Sequence, residues 1–363
     1  MLHAIIMAGG AGTRFWPASR AALPKQLLSL VGQRTMIQET LDRVAGLVSA
    51  KDTLVVTNQS LVEAIREQLL ALPTEAVIGE PCKRDTAPCI GLAAAIVARG
   101  DADATMVVMP ADHVIRDTEA FHVAIRQASD LVARDPARLV TFGIRPTYPA
   151  ESFGYIERGQ PLTSPAGSEA EIAVFAVKMF REKPSAEVAQ RYLATGGFYW
   201  NSGIFVWKAR TILDALAEHE PAMHEQIQAI AASYGSDSFS ETLAMEFAKI
   251  VGKSIDYAVM EKHDNVVVIE APFDWDDVGN WQSLTRQRGT DAAGNTVIGR
   301  HLALNSSGCI VRSSDEHLVV TLGMEDCIVV HTPDATLVAR KHDEEAIRQI
   351  VEMLKEKGWD QYL

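Results

Sequence analysis

Residues 3–7, His-Ala-Ile-Ile-Met, form a short apolar run that leads directly into a loop containing Gly9, Gly10 and Gly12. A strand that ends in glycines constrains the fold strongly. Its backbone can turn tightly, and its N–H groups can approach an anion closely. Thr13, Arg14 and Lys25 follow and supply hydrogen-bond donors and positive charge suited to a polyphosphate. The spacing matches neither GxxxxGK[ST] nor GxGxxG, which argues against a P-loop and against a dinucleotide-dependent dehydrogenase.

The first ~150 residues alternate in texture. Apolar runs at 53–57, 76–78, 106–109 and 139–142 predict strands, and Ile37, Leu41, Val44 and Val48 recur at helical spacing ahead of the first of them. Thr35 with Gln38, and Ser60 with Glu63, read as capping boxes that open two helices. Strands separated by helices predict an α/β fold with a doubly wound, mixed but mainly parallel sheet of the Rossmann-like kind. Ligands of such sheets sit at the carboxyl ends of the strands, so the glycine loop, Gly79-Glu80-Pro81 and Met109-Pro110-Ala111-Asp112 are expected to converge. Further strands are predicted near 153–158, 171–179, 199–207 and 265–270, with helices in much of 185–194 and 208–262. After Gly294, short β-runs recur every ~8–10 residues between turn residues, which predicts a small β-roll or a few coils of a β-helix. A terminal helix over about 343–357 carries Ile347, Ile350, Val351 and Leu354 on one face, for packing on the β unit or for a dimer contact. The expected division is 1–288 for the main domain and 289–363 for the β-rich unit with its helix.

Bulk properties narrow the function. A formal net charge of −13 argues against a general nucleic-acid binder. A polyanionic substrate would need locally concentrated positive charge, which Arg14, Arg20 and Lys25 provide. No apolar run approaches the ~18–20 residues of a membrane span, and the first residues lack a basic n-region and a cleavage site. Four cysteines, at 82, 89, 309 and 327, show no CxxC spacing and read as reduced core thiols of a cytoplasmic protein.

Several constellations bear chemistry. Asp112 lies just beyond a predicted buried strand, where its carboxylate is either a turn residue or a ligand for a Mg²⁺ carrying triphosphate oxygens. Residues 273–281, Phe-Asp-Trp-Asp-Asp-Val-Gly-Asn-Trp, place three acids in four positions beside two tryptophans. Strand alternation would turn Asp276 and Asp277 to opposite faces. In Phe180-Arg181-Glu182-Lys183-Pro184, Lys183 offers a point charge for a phosphate and Glu182 an acceptor for hydroxyls. Gly154 would let a ligand approach the backbone closely, and the Asn201 side chain could make two hydrogen bonds to a ligand. Asp85 is an N-cap for a helix from Thr86, a base contact, or both. The histidines form no HxxH or HExxH array, and His113 reads as a supporting neighbour of Asp112.

The stretch 8–26, AGGAGTRFWPASRAALPKQ, closely resembles the signature of sugar-nucleotide pyrophosphorylases, which are nucleotidyltransferases. Its Trp-Pro and Ser-Arg variants resemble the mannose-1-phosphate guanylyltransferase branch. Glu80-Pro81 through Arg84-Asp85-Thr86-Ala87-Pro88, Phe153-Gly154-Tyr155-Ile156, the FxEKP segment at 180–184 and Asn201-Ser202-Gly203-Ile204-Phe205 resemble further motifs of that family, in order. The resemblance implies the reaction of GTP with α-D-mannose 1-phosphate to give GDP-mannose and pyrophosphate. It implies nucleotide contacts from Ala8, Gly9, Gly10, Gly12, Thr13, Arg14, Lys25, Glu80, Asp85, Thr86, Ala87 and Asp112. Sugar-phosphate contacts would come from Gly154, Glu182, Lys183 and Asn201. Asp277 matches the family's second metal ligand, so Asp112 and Asp277 would hold Mg²⁺ or another divalent cation, with Asp276 the near alternative. Arg14, Lys25 and Lys183 would be the catalytic cations. A homodimer is expected, with no nucleic-acid or membrane partner. Longer relatives carry an added isomerase domain, and isomerase activity is not expected of a chain ending at Leu363. Guanine and mannose rest on the resemblance alone. A non-catalytic nucleotide-sugar sensor of the same fold would be expected to have lost some of Arg14, Lys25, Asp112, Lys183 and Asp277, and all five are present.

Overall fold

In a computed structural model, which describes residues 1–10, 12–162 and 172–363, the first apolar run becomes strand β1 (Leu2–Ala8), followed by helix α1 (Met36–Val44), β2 (Thr53–Asn58), helix α2 (Val62–Gln68), β3 (Val77–Glu80), helix α3 (Thr86–Gly100), β4 (Thr105–Pro110), helix α4 (Thr118–Arg134) and β5 (Leu139–Ile144). The chain continues through β6 (Tyr155–Pro161), β7 (Val174–Arg181), α5 (Ala186–Thr195), β8 (Phe198–Lys208), α6 (Ala209–His219), α7 (Pro221–Ser233), α8 (Phe239–Lys249) and β9 (Val266–Glu270). Residue 171, where β7 was expected to begin, and Ala11 of the glycine loop lie outside the described residues.

Cα packing divides the chain into two interleaved units. One comprises Met1–Gly9, Leu41–Pro110 and Ile115–Trp275, and the other Gly10–Thr40, Ala111–Val114 and Asp276–Leu363. The expected cut at 288 marks a change in sequence texture, whereas these units are defined by contacts.

Among the described residues, the first unit holds a nine-stranded mixed sheet of order β3-β2-β1-β4-β8-β5-β9-β7-β6. Parallel pairing joins β1 to β2 and β4, β2 to β3, and β5 to β9, while β8 runs against β4, β5 and β6. β7 runs against β6 and β9, so all the strands except β7 and β8 point the same way. The sheet is therefore the mixed, mainly parallel, Rossmann-like type expected from the alternation. The carboxyl ends of β1, β3 and β4 consequently share one edge. Helix α3 explains much of the core: every residue from Ala87 to Val97 is buried, with small residues at Ala93, Ala94 and Ala95 admitting close neighbours. Each fully buried Leu, Ile or Val there contributes roughly 1.5–3 kcal/mol.

Local signals fared differently. Thr35 N–H donates to Gln38 Oε1 at 3.2 Å, as the expected capping box requires. Ser60 and Glu63 form no such box. Asn58 Oδ1 accepts from Ser60 N–H at 2.9 Å, a 3₁₀ turn covers Gln59–Leu61, and Glu63 pairs with Arg66 at 2.7 Å. An asparagine two residues upstream competes well for the same N–H.

In the second unit, β10 (Thr296–Ile298), β12 (Ile310–Arg312) and β14 (Cys327–His331) stack in parallel, with β15 (Thr336–Arg340) antiparallel on β14. Strands β11 (Arg300–Leu304) and β13 (Leu318–Leu322) form a second parallel ladder. Thr296 pairs with Ile310 and Ile310 with Ile328, so one coil advances 14 positions and the next 18. This unequal advance is why the sequence repeat looks irregular. The terminal helix α9 (Ile347–Glu356) buries Ile347, Val351 and Leu354 in a core that includes Phe15, Trp281, Ile310, Ile328 and Val330. Its apolar face is thus used inside the unit. All four cysteines are free thiols. Among the described residues no helix is long and apolar enough to cross a membrane.

Candidate active site

Lys25 organises the second unit's polar centre. It opens a short 3₁₀ turn, is 5% exposed, and donates from Nζ to Asp112 Oδ2 at 2.8 Å and to the Asp277 carbonyl at 2.5 Å. Gly12 is what allows this. Its φ is +60°, and a Cβ there would lie 2.4 Å from the Lys25 Cβ. Burial raises the Asp112 carboxyl, but the charges of Lys25 and His113 outweigh it, and the net shift is downward.

The three acids of 273–281 have separate duties. Asp274 Oδ1 accepts from the backbone N–H groups of Arg116 and Asp117 at 2.9 and 3.0 Å. Asp276 is gripped by Arg286 at 2.8 and 3.2 Å and accepts from Val278 N–H at 2.7 Å. Among the described residues, the Asp277 carboxylate makes neither a hydrogen bond nor an ion pair. Burial, offset by Lys25 but reinforced by Asp276 and Asp112, pushes it up to about 6. No group of three His, Cys, Asp or Glu side chains among the described residues forms a closed metal site. Asp112 and the unpaired Asp277 instead make an open pair of hard oxygen donors around one buried cation. Mg²⁺ suits such a pair, because it binds through one or two carboxylates and keeps waters and substrate phosphates in its shell.

The other cations of the signature divide. Arg14 is partly buried, with Nη1 3.4 Å from the Gly279 carbonyl and Nε 3.6 Å from Glu345. Arg20, expected in the polyphosphate cluster, is used elsewhere: it pairs with Asp334 at 2.9 Å and lies over the Trp16 ring. Thr13 lines a small cavity of about 160 Å³ with Trp16, Arg20 and Lys355. Thr13 and Arg20 thus have neighbours that their positions in the motif did not disclose.

In the first unit, Glu80 ends β3 as a buried carboxyl whose Oε1 lacks a hydrogen-bond partner, and burial pushes it up to about 8. Its Oε2 lies 3.7 Å from where a Cβ on Gly9 would sit. Ala8, the last residue of β1, uses its carbonyl to accept from Thr57 Oγ1 at 3.0 Å, and Gly10 has open space around it. Asp85 is the N-cap of α3, accepting from Thr86 N–H at 2.9 Å, and holds φ at +69°. Thr86 Oγ1 accepts from Ile255 N–H at 2.9 Å, and Ala87 N–H donates to the Lys253 carbonyl at 3.0 Å.

Gly154, Glu182, Lys183 and Asn201 meet in the same unit. A Cβ on Gly154 would lie 2.5 Å from Glu182 Oε2 and 3.5 Å from the Asn201 Cβ. Lys183, 63% exposed and at φ +46°, pairs with Glu182 at 2.5 Å. Asn201 is more occupied than its sequence context implied. Its Oδ1 accepts from Gly203 N–H at 3.1 Å and Thr141 Oγ1 at 3.3 Å, and its Nδ2 donates to Asp256 Oδ1 at 2.8 Å. One N–H remains for a ligand, not the two contacts expected. Asp256 itself was missed. The available signal was a single acid in the otherwise mostly apolar run Ile255 to Met260.

The Nucleotidyl transferase family matches residues 3–293, and the MannoseP isomerase/GMP-like beta-helix domain matches residues 299–354. The chain is 41% identical to the mannose-1-phosphate guanylyltransferase of Klebsiella pneumoniae, aligned over 100% of this chain and 76% of that protein. It is 39% identical to the xanthan biosynthesis protein XanB of Xanthomonas campestris pv. campestris, over 98% of this chain and 73% of that one. A crystal structure described as a mannose-1-phosphate geranyltransferase from Thermus thermophilus superposes with a TM-score of 0.85 at 34% identity, covering 98% of this chain and 99% of that one.

Proposed function

The chain belongs to the nucleotidyl transferase family and is a transferase of that type; on that premise we propose that it moves GMP from GTP to α-D-mannose 1-phosphate, giving GDP-mannose and pyrophosphate. The observation that carries this reading is Lys25, a buried ammonium held between Asp112 and the Asp277 backbone with the Asp277 carboxylate left unpaired. A fixed cation beside two hard carboxylates suits a triphosphate that arrives with its own metal. The guanylyl and mannosyl specificities come from the relatives' names and from the motifs at 80–88 and 180–184.

In the proposed reaction, an oxygen of the mannose phosphate attacks the α-phosphorus of GTP in line. The new O–P bond forms as the bond to the β-phosphate oxygen breaks, and pyrophosphate carries away the electron pair. A phosphate monoester is already a competent nucleophile, so no general base is needed, and catalysis is positioning plus charge neutralisation. Lys25 and Arg14 neutralise the triphosphate and the departing pyrophosphate. Lys183 fixes the attacking phosphate, and Glu182 with the backbone at Gly154 and the free Asn201 N–H takes sugar hydroxyls. Glu80 and Asp85 face the base, where an unpaired buried carboxyl offers an acceptor for the guanine N–H groups. Asp112 and Asp277 would hold Mg²⁺, which supplies Lewis-acid stabilisation of phosphate charge when bound. The nucleotidyl-transfer domain is taken as 1–288, in a homodimer of a cytoplasmic enzyme that makes a precursor for polysaccharide.

The test is pyrophosphate release with GTP, ATP, UTP and dTTP crossed with mannose, glucose and other hexose 1-phosphates in the presence of Mg²⁺. Release with GTP plus mannose 1-phosphate well above every other pair is expected. Another preferred pair would keep the mechanism and discard the substrate, and no release with any pair would favour a nucleotide-sugar sensor.

A further inference from the structure

We propose that Asp256 reads sugar hydroxyls: its carboxylate oxygen not bonded to Asn201 accepts from hydroxyls of the sugar 1-phosphate and sets which hexose is accepted. This rests on the reading of the Gly154–Glu182–Lys183–Asn201 cluster as the sugar-phosphate site.

Asn201 has a fixed orientation. A backbone N–H can only donate, so the atom facing Gly203 N–H at 3.1 Å must be the Asn201 oxygen. Its nitrogen therefore points at Asp256 Oδ1, 2.8 Å away. Asn201 is a strut that holds Asp256, and its own capacity for sugar is reduced to one N–H. Asp256 is partly buried, at the start of a single π-helical turn covering Asp256–Met260. The segment just before it is tied down independently. Ile255 N–H donates to Thr86 Oγ1 at 2.9 Å, and Lys253 makes backbone hydrogen bonds with Arg84 and Ala87 at 3.1 and 3.0 Å. The carboxylate is thus held from both sides while Asn201 is its one side-chain hydrogen-bond partner among the described residues.

Among the described residues, no arginine or lysine bonds to Asp256. The charges that face it are Glu182, which disfavours its ionised form, and Lys183, which favours it and is itself paired to Glu182. Burial first, and then Glu182, push its carboxyl up to about 7. Two neighbouring carboxyls with one exposed lysine make a poor stabilising network and a good acceptor surface for hydroxyl donors. A site built to hydrogen-bond a hydroxyl rejects an analogue lacking it far more strongly than an apolar pocket can, because the buried acceptor is then left unpaired.

The test uses the full chain and its Asp256→Asn variant. That amide can still turn its oxygen to Asn201, and it then presents NH₂ where the second carboxylate oxygen was. Initial rates are measured with the preferred hexose 1-phosphate and each of its monodeoxy analogues. Asp256→Asn is expected to lower kcat/KM for the parent sugar by about 10- to 100-fold, the worth of a charge-assisted hydrogen bond, with the GTP KM unchanged. One deoxy analogue, the one lacking the hydroxyl that Asp256 reads, is expected to react equally well with both proteins. An equal loss across the whole panel, or a parallel rise in the GTP KM, would show that Asp256 only supports the fold and overturn the proposal. Asp256→Glu, which keeps the charge, replaces the amide variant if that one does not fold. If the wild-type chain turns over no sugar phosphate, the functional reading fails at that step. Calorimetric binding of the same sugar phosphates then decides Asp256 separately: weaker binding to the variant supports it, and equal binding or none to either protein overturns it.

Discussion

The polar cluster around Lys25 and the one around Asp256 share an inventory of carboxylates and one lysine, yet they are built in opposite ways. In the first, the lysine is 5% exposed and lies between the Asp112 carboxylate and the Asp277 carbonyl, and the Asp112 carboxyl is held down. In the second, the lysine is 63% exposed and the acids crowd one another, so Asp256 is held up. Position, not composition, decides the chemistry. A buried fixed cation with open carboxylates suits a polyanion that brings a metal, while crowded, cation-poor carboxyls suit neutral hydroxyls. Both arrangements carry acceptors that lack a full set of protein donors, which costs stability unless a ligand supplies them.

The sharpest way to break the comparison is Lys25→Met. Removing one fixed charge-stabilising group commonly costs ~10²–10³ in turnover, or roughly 3–4 kcal/mol. The expected result is a kcat loss of that size with an unchanged KM for the sugar phosphate. A loss confined to the sugar phosphate KM would mean that the two clusters have been assigned the wrong way round.

Next is the adjacent acid pair. Asp277→Asn is expected to raise the Mg²⁺ concentration for half-maximal activity by about 10- to 100-fold, the scale on which metal affinity answers to changes around a metal. Asp276→Asn, which breaks the grip of Arg286, is expected instead to lower thermal stability by about 1–3 kcal/mol with little change in metal requirement. The reverse pattern in a metal titration and a melting curve would move the ligand to Asp276.

A smaller effect is expected at Gly154→Ala. The added Cβ would come within 2.5 Å of Glu182 Oε2, displacing that carboxylate. The KM for the sugar phosphate should rise by roughly an order of magnitude, about 1.4 kcal/mol, with the GTP KM constant. Equal shifts in both constants would remove Glu182 from the sugar assignment.

The last test concerns stability and not turnover, at Glu80. Burial pushes its carboxyl up to about 8. The folded state therefore holds a proton there over a range where the unfolded chain has released it. Stability is then fully present below the ordinary glutamate range and falls as pH rises toward 8. Glu80→Gln should remove that slope, so its melting temperature should gain on the wild type between pH ~5 and pH ~8. Parallel melting curves across that range would show that Glu80 is not the buried, unpaired acid described.

The legible parts of the sequence were those governed by local pattern. The strands that build the parallel half of the sheet, α3 from Thr86 and the parallel β coils after Gly294 follow from apolar runs and turn residues. Gly12 and Lys25 of the buried centre lay in one contiguous signature, and Asp112 and Asp277 in two further motifs. What escaped depended on partners distant along the chain. Arg20 has the composition of a phosphate ligand, but Asp334, far away in sequence, holds it. Asp276 and Asp277 are neighbours that only Arg286 tells apart. Asn201 looked free until Gly203, Thr141 and Asp256 occupied its amide, and Asp256 became visible only through Asn201. Ser60 lost its expected capping role to Asn58, a competition between near neighbours that motif matching does not weigh.

The central claim, guanylyl transfer at the α-phosphorus, is tested most directly in reverse. GDP-mannose is incubated with labelled pyrophosphate and Mg²⁺, and the products are separated. The expected product is GTP carrying the label in its β- and γ-phosphates, with mannose 1-phosphate formed in equal amount. Release of free mannose with GDP, or of GMP without labelled GTP, would place bond cleavage elsewhere and contradict it.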